Sequence, residues 1–85
     1  MRTVFGAYSP SVALNILLRR EWASIVGESL YGSSEIVEAR FVGKERIDVY
    51  CRILGAACIE ARNRESAIVE RVRELTDTPN VRVFF

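Results

Sequence analysis

A two-layer α+β domain, a three-stranded sheet with two helices on one face, is the fold this sequence predicts. Three observations predict it. Two stretches repeat apolar residues at helical spacing, three shorter ones alternate apolar and polar residues with period two, and their order is α, β, β, α, β. Each helical stretch has an apolar stripe to bury, and one sheet face covered by both helices is the simplest arrangement that buries both. With 85 residues, 49% hydrophobic and 27% charged, the chain reads as a single domain over residues 1–85, without repeat, linker or low-complexity segment.

The first helix is expected from Ser11 to Val26. Ser9 or Ser11 caps it, Pro10 suits its first turn, and Gly27 suits the position beyond its end, in a left-handed conformation that other residues enter at a cost of about 1 kcal/mol. Leu14, Leu17, Leu18, Trp22 and Ile25 form its core stripe. A Gly- and Ser-containing loop is expected from Glu28 to Ser34. In the first strand Val37, Ala39 and Phe41 face inward, with Glu38 and Arg40 outward. A turn at Gly43-Lys44-Glu45 leads to the second strand, where Ile47, Val49, Cys51 and Ile53 face inward and Asp48, Tyr50 and Arg52 outward. The second helix is expected from Leu54 or Gly55 to Leu75, with Leu54, Cys58, Ala61, Ile68, Val72 and Leu75 on its stripe and one break at Glu65. Glu60 with Arg64, and Glu70 with Arg73, are spaced to pair along it. Thr76 to Asn80, containing Pro79, ends the helix and turns the chain into VRVFF, which closes it as a third strand with Arg82 and Phe84 outward.

Composition narrows the function classes. Twelve Lys and Arg against 11 Asp and Glu leave a net charge of +1, so binding to nucleic acid must come from a local patch. There is no histidine, and no nucleophile with a base, carboxylate pair or metal cage can be assembled from the spacing. The glycines fit neither a phosphate loop nor a dinucleotide fingerprint. No enzyme activity, cofactor or metal is therefore expected. Cys51 and Cys58 are read as buried, reduced thiols, and the absence of a secretory leader or a long apolar run predicts a cytoplasmic protein without membrane contact. All basic residues except Lys44 are arginine, a bias that either planar contacts to phosphate or genomic base composition explains.

Two surfaces are candidates for binding. The sheet face away from the helices carries Glu38, Arg40, Asp48, Tyr50, Arg52, Arg82 and Phe84, aromatic rings interleaved with arginines as on a platform for unpaired bases. The same set also makes an ordinary solvated face with cross-strand Glu–Arg and Asp–Arg pairs, or a face for another subunit. On the first helix, Val12, Ile16 and Ala23 lie off the core stripe beside Arg19 and Arg20, where a partner protein or a small dimer contact would cover them. Arg62, Arg71 and Arg73 either contact phosphates or solvate the second helix.

The segment WASIVGESLYGSS from Trp22 to Ser34, followed by a hairpin containing ERIDVYC, a long helix and VRVFF, resembles the DciA family of bacterial replicative-helicase loaders. The resemblance rests on Trp22, Ile25, Val26 and Gly27, with Leu30 and Ser33-Ser34 after them. It implies a KH-like, non-enzymatic domain that binds a DnaB-type replicative helicase, assists its loading, and has some affinity for single- or double-stranded DNA. On that reading Ile16, Arg19 and Arg20 meet the helicase, while Arg40, Tyr50, Arg52, Arg82 and Phe84 touch nucleic acid. A KH-like RNA-binding protein and a structural homodimer built on the open sheet face are the alternatives. No two glycines stand three apart, so the glycine-loop grip of a KH domain is not expected. Trp22, Ile25 and Gly27 have structural roles first.

Overall fold

In the computed structural model, which describes residues 9–85, Ser9 caps the first helix by accepting a hydrogen bond from the Val12 amide at 3.2 Å, and Pro10 opens it. The single helix expected over Ser11 to Val26 is divided. Helix α1 spans Pro10–Arg20, and Glu21, with φ −97° and ψ 9°, separates it from α2, Trp22–Val26. The Ser24 hydroxyl donates to the Glu21 carbonyl at 2.9 Å, the local competition by which serine loosens a helical turn. The stripe itself survives the bend, because Leu14, Leu18, Trp22 and Ile25 are all buried.

Gly27 has φ 87° and ψ 161°, so it leaves the left-handed helical region expected of it for an extended one that only glycine enters freely. Where a loop was expected, a short helix α3, Glu28–Tyr31, follows and buries Leu30 completely. Strand β1, Ser34–Val42, pairs antiparallel with β2, Arg46–Ile53, through a turn in which Gly43 takes φ 67°. A bulge between Ile36 and Glu38 shifts the inward set of β1. Ile36 and Ala39 enter the core and Val37, expected inward, is exposed. In β2 the alternation holds, with Ile47, Val49 and Cys51 buried and Ile53 against the core.

The return to the sheet also departs from a single helix. Gly55 turns the chain with φ 46°, α4 spans Ala57–Asn63, and Arg64, with φ −101° and ψ 5°, separates it from α5, Glu65–Thr76. The break falls beside the predicted interruption of the stripe. Ala61, Ile68 and Val72 are buried, while Leu54, which precedes the turn, and Cys58, in the first turn of α4, are exposed. Asp77, at φ 52°, ends α5, and β3, Asn80–Phe84, runs parallel to β2 in the order β1-β2-β3. Helix α1 packs on β1, α5 on β3, and α2 against α5, so the helices share one face of a mixed sheet. This is the α+β arrangement expected, a three-stranded sheet with helices on one face. Among the described residues no helix is long and apolar enough to cross a membrane.

Only one thiol is buried. Burial raises the Cys51 thiol from its usual 9.0 to about 12, whereas Cys58 is exposed. A thiol reagent is therefore expected to label Cys58 in the native domain and Cys51 only after unfolding. Because the unfolded chain releases the Cys51 proton from pH 9 upward and the folded chain keeps it to about 12, stability is expected to fall with rising pH across that interval. Denaturation midpoints of Cys51→Ala should lack this component of the alkaline loss.

Candidate functional site

The open sheet face is built by the outward residues of all three strands, which the register sets in rows. Arg40, Asp48 and Arg82 form one row, and Glu38, Tyr50 and Phe84 the next. The Tyr50 and Phe84 rings stack with centroids 4.9 Å apart and planes 14° from parallel, while the Arg40 guanidinium carbon lies 5.3 Å from the Tyr50 ring centre. Since β2 is the middle strand, Arg40 and Phe84 flank Tyr50 from opposite sides. Tyr50 is thus flanked on both sides, and the ring face still open to a base is the outer face of Phe84, which is 40% exposed.

The charges on this face are largely matched. Arg52 binds Glu35 across the strands at 2.7 Å, and Arg40 lies 3.5 Å from Glu38 on its own strand. Asp48, expected outward and solvated, is only 5% exposed. Arg46 covers it with a two-pronged contact, Nε to Oδ1 at 3.1 Å and Nη2 to Oδ2 at 3.4 Å, and Arg40 and Arg82 stand in register on either side. Arg46 shares the outward parity of Asp48, a signal present in the sequence as an Arg-x-Asp spacing along a strand. Arg82 makes no ion pair among the described residues, so its guanidinium is the one on this face free to meet a phosphate.

The second candidate surface, on α1, is only partly available. Ile16, 48% exposed, and Val12 line a shallow groove of ≈ 390 Å³ together with Ser11, Asn15, Arg19 and Glu38. Arg20 is exposed beside Glu21 at 3.7 Å. Arg19, however, donates to the carbonyls of Ile36 at 3.3 Å and Val37 at 3.1 Å, so its guanidinium holds the β1 bulge. Asn15 acts beside it, accepting from the Ala39 amide at 2.9 Å and donating to the Ala39 carbonyl at 2.7 Å. Of the helical arginines, Arg71 and Arg73 pair with Glu74 and Glu70, and Arg62 is exposed.

A wider cleft of ≈ 530 Å³ lies between Arg19, Trp22, Tyr31, Ser34, Glu35 and Ile36. Its polar groups are already engaged: Trp22 Nε1 donates to Ser34 at 3.0 Å, and Glu35 holds Arg52. Among the described residues no cluster of three or more His, Cys, Asp or Glu is arranged to hold a metal ion. Compared with known protein families, curated proteins and solved structures, the chain shows no match.

Proposed function

We propose that this chain is a non-catalytic accessory domain of DNA replication that binds a DnaB-type replicative helicase through the outer face of α1 and contacts DNA weakly through its open sheet face. The observation that supports it is the Tyr50–Phe84 stack with the Arg40 guanidinium over Tyr50, on a face the helices leave uncovered, with Arg82 beside it. A single-stranded base stacks on the outer face of Phe84, and Arg82 holds the neighbouring phosphate. Tyr50 and Arg40 brace Phe84 from behind, and Arg52 stays on Glu35. Ile16, Val12 and Arg20 offer the helicase an apolar patch with a cationic border, and Arg19 shapes that patch by fixing the bulge.

Titration of a labelled single-stranded oligonucleotide tests the DNA contact. Phe84→Ala is expected to weaken binding by about 1–3 kcal/mol, the worth of one stacked base, and Tyr50→Phe to leave it unchanged. Arg82→Ala should reduce the slope of log K against log salt by about 0.7 for a single strand. Unaltered affinity in Phe84→Ala would remove the stacking contact. For the protein partner, the helicase of the source organism should be retained stoichiometrically by the domain and lost with Ile16→Glu, whose DNA affinity should be unchanged. Salt-sensitive RNA binding without helicase retention would replace this reading with an RNA-binding one.

A further inference from the structure

The two edges of the sheet are finished differently. Along β1, Asn15 takes both the amide and the carbonyl of Ala39, Arg19 takes the carbonyls of Ile36 and Val37, and the bulge interrupts the line, so the middle of this edge is already occupied. Along β3, no described residue bonds to the outer edge. The Asn80 amide donates to the Glu45 carbonyl at 3.3 Å, on the β2 side, which fixes the phase of the strand. Asn80, Arg82 and Phe84 therefore bond inward, and Val81, Val83 and Phe85 direct their amides and carbonyls outward. This edge is β-branched and aromatic, and it lacks the lysine, proline or bulge that commonly protects an exposed strand.

We propose that β3 pairs antiparallel with β3 of a second copy of this chain, closing a twofold dimer whose two sheets become continuous. The strand is complementary to itself in one register. Centring the pair on Arg82 would set two guanidiniums opposite each other where cross-strand side chains are closest. Centring it on Val83 instead sets Val83 against its own copy, Val81 against Phe85, and Arg82 against the Phe84 ring, a cation facing an aromatic. The outward amides and carbonyls meet in hydrogen-bonded pairs, and the apolar side chains continue the layer beneath the helices. Because the twofold pairing consumes both β3 edges and the middle of each β1 edge is occupied and bulged, association is expected to stop at two. This goes beyond the proposed function and touches it at one residue: the second copy's guanidinium covers the Phe84 face that a base would use, so pairing and strand binding exclude one another.

Sedimentation of the 85-residue chain from micromolar to millimolar concentration, with amide exchange at both ends of that range, tests the dimer. The mass is expected to rise from 9.6 kDa toward twice that value, with the Val81, Val83 and Phe85 amides slowing as it does and the Ala39 amide protected throughout. Val81→Pro deletes one outward amide and leaves the bonds to β2 intact, and should stay monomeric with an unchanged circular dichroism spectrum. Phe84→Glu places a carboxylate opposite Arg82, so it should keep the dimer, make it salt-sensitive, and lose DNA binding. Monomeric mass at millimolar concentration overturns the proposal, as does a dimer that leaves the β3 amides exchanging freely. Should Val81→Pro not fold, exchange on the unaltered chain decides.

Discussion

Replacing Trp22 by alanine is expected to remove about 3–5 kcal/mol of stability, most of what a domain of this size holds. Trp22 is 4% exposed in a cluster with Leu18, Ile25 and Ile36, and its loss leaves a cavity that the bend at Glu21 and the fixed ends of α2 cannot close. Its indole also begins a relay. Nε1 donates to Ser34 Oγ, and that hydroxyl donates to the Leu30 carbonyl at 2.7 Å, so one side chain ties α2, α3 and β1 together. Urea denaturation should show Trp22→Ala largely unfolded in water, and Ser34→Ala reduced by about 1 kcal/mol, the worth of an ordinary hydrogen bond. A Trp22→Ala variant within 1 kcal/mol of the parent would contradict this view of the core.

Gly27→Ala is expected to cost about 3 kcal/mol or more, for two reasons that a double-mutant cycle separates. At φ 87° and ψ 161° any side chain strains the backbone, by about 1–3 kcal/mol. A Cβ there would also collide with the Arg64 guanidinium. Arg64 reaches across from the junction of α4 and α5 to donate to the Val26 carbonyl at 2.8 Å, capping α2 with a cation, and it pairs with Glu60 at 3.7 Å. Displacing it forfeits that charged hydrogen bond. In an Arg64→Ala background, Gly27→Ala should therefore cost only the backbone strain. Equal costs in both backgrounds would show that the two residues act independently.

The features legible in the sequence are those set by local periodicity. Leu14, Leu18, Trp22 and Ile25 recur along one helical face, and Ile47, Val49 and Cys51 along one strand face, and each set is buried as its spacing demands. What escapes such reading depends on contacts between distant elements. The bulge at Val37 accompanies hydrogen bonds from Arg19 on another element, and the polar pattern of β1 carries no mark of it. Leu54 and Cys58 fit the helical stripe by spacing, but a positive φ at Gly55 delays the helix to Ala57, so Leu54 precedes it and Cys58 falls on its exposed side. Asp48 alternates like a solvated residue and is buried by Arg46. On the candidate face, the residues were identifiable by parity alone. That Tyr50 is flanked on both sides and Phe84 open follows from the strand order, which alternation does not encode.

The parallel pairing of β2 with β3 also sets a timetable for folding. β1 and β2 meet through the short Gly43–Glu45 turn, and α1 lies beside them in sequence, so this half can assemble from nearby contacts. β3 must wait until Leu54–Pro79 has formed its crossover. Until then the central strand is itself an edge, with Ile47, Val49 and Cys51 beneath an unfinished helical layer. On the ribosome, this interval ends only when residues beyond Pro79 have left the exit tunnel. A chain interrupted before Asn80 would hold β2 open indefinitely, and it is this species, rather than the finished domain, that a cell's chaperones and proteases would meet.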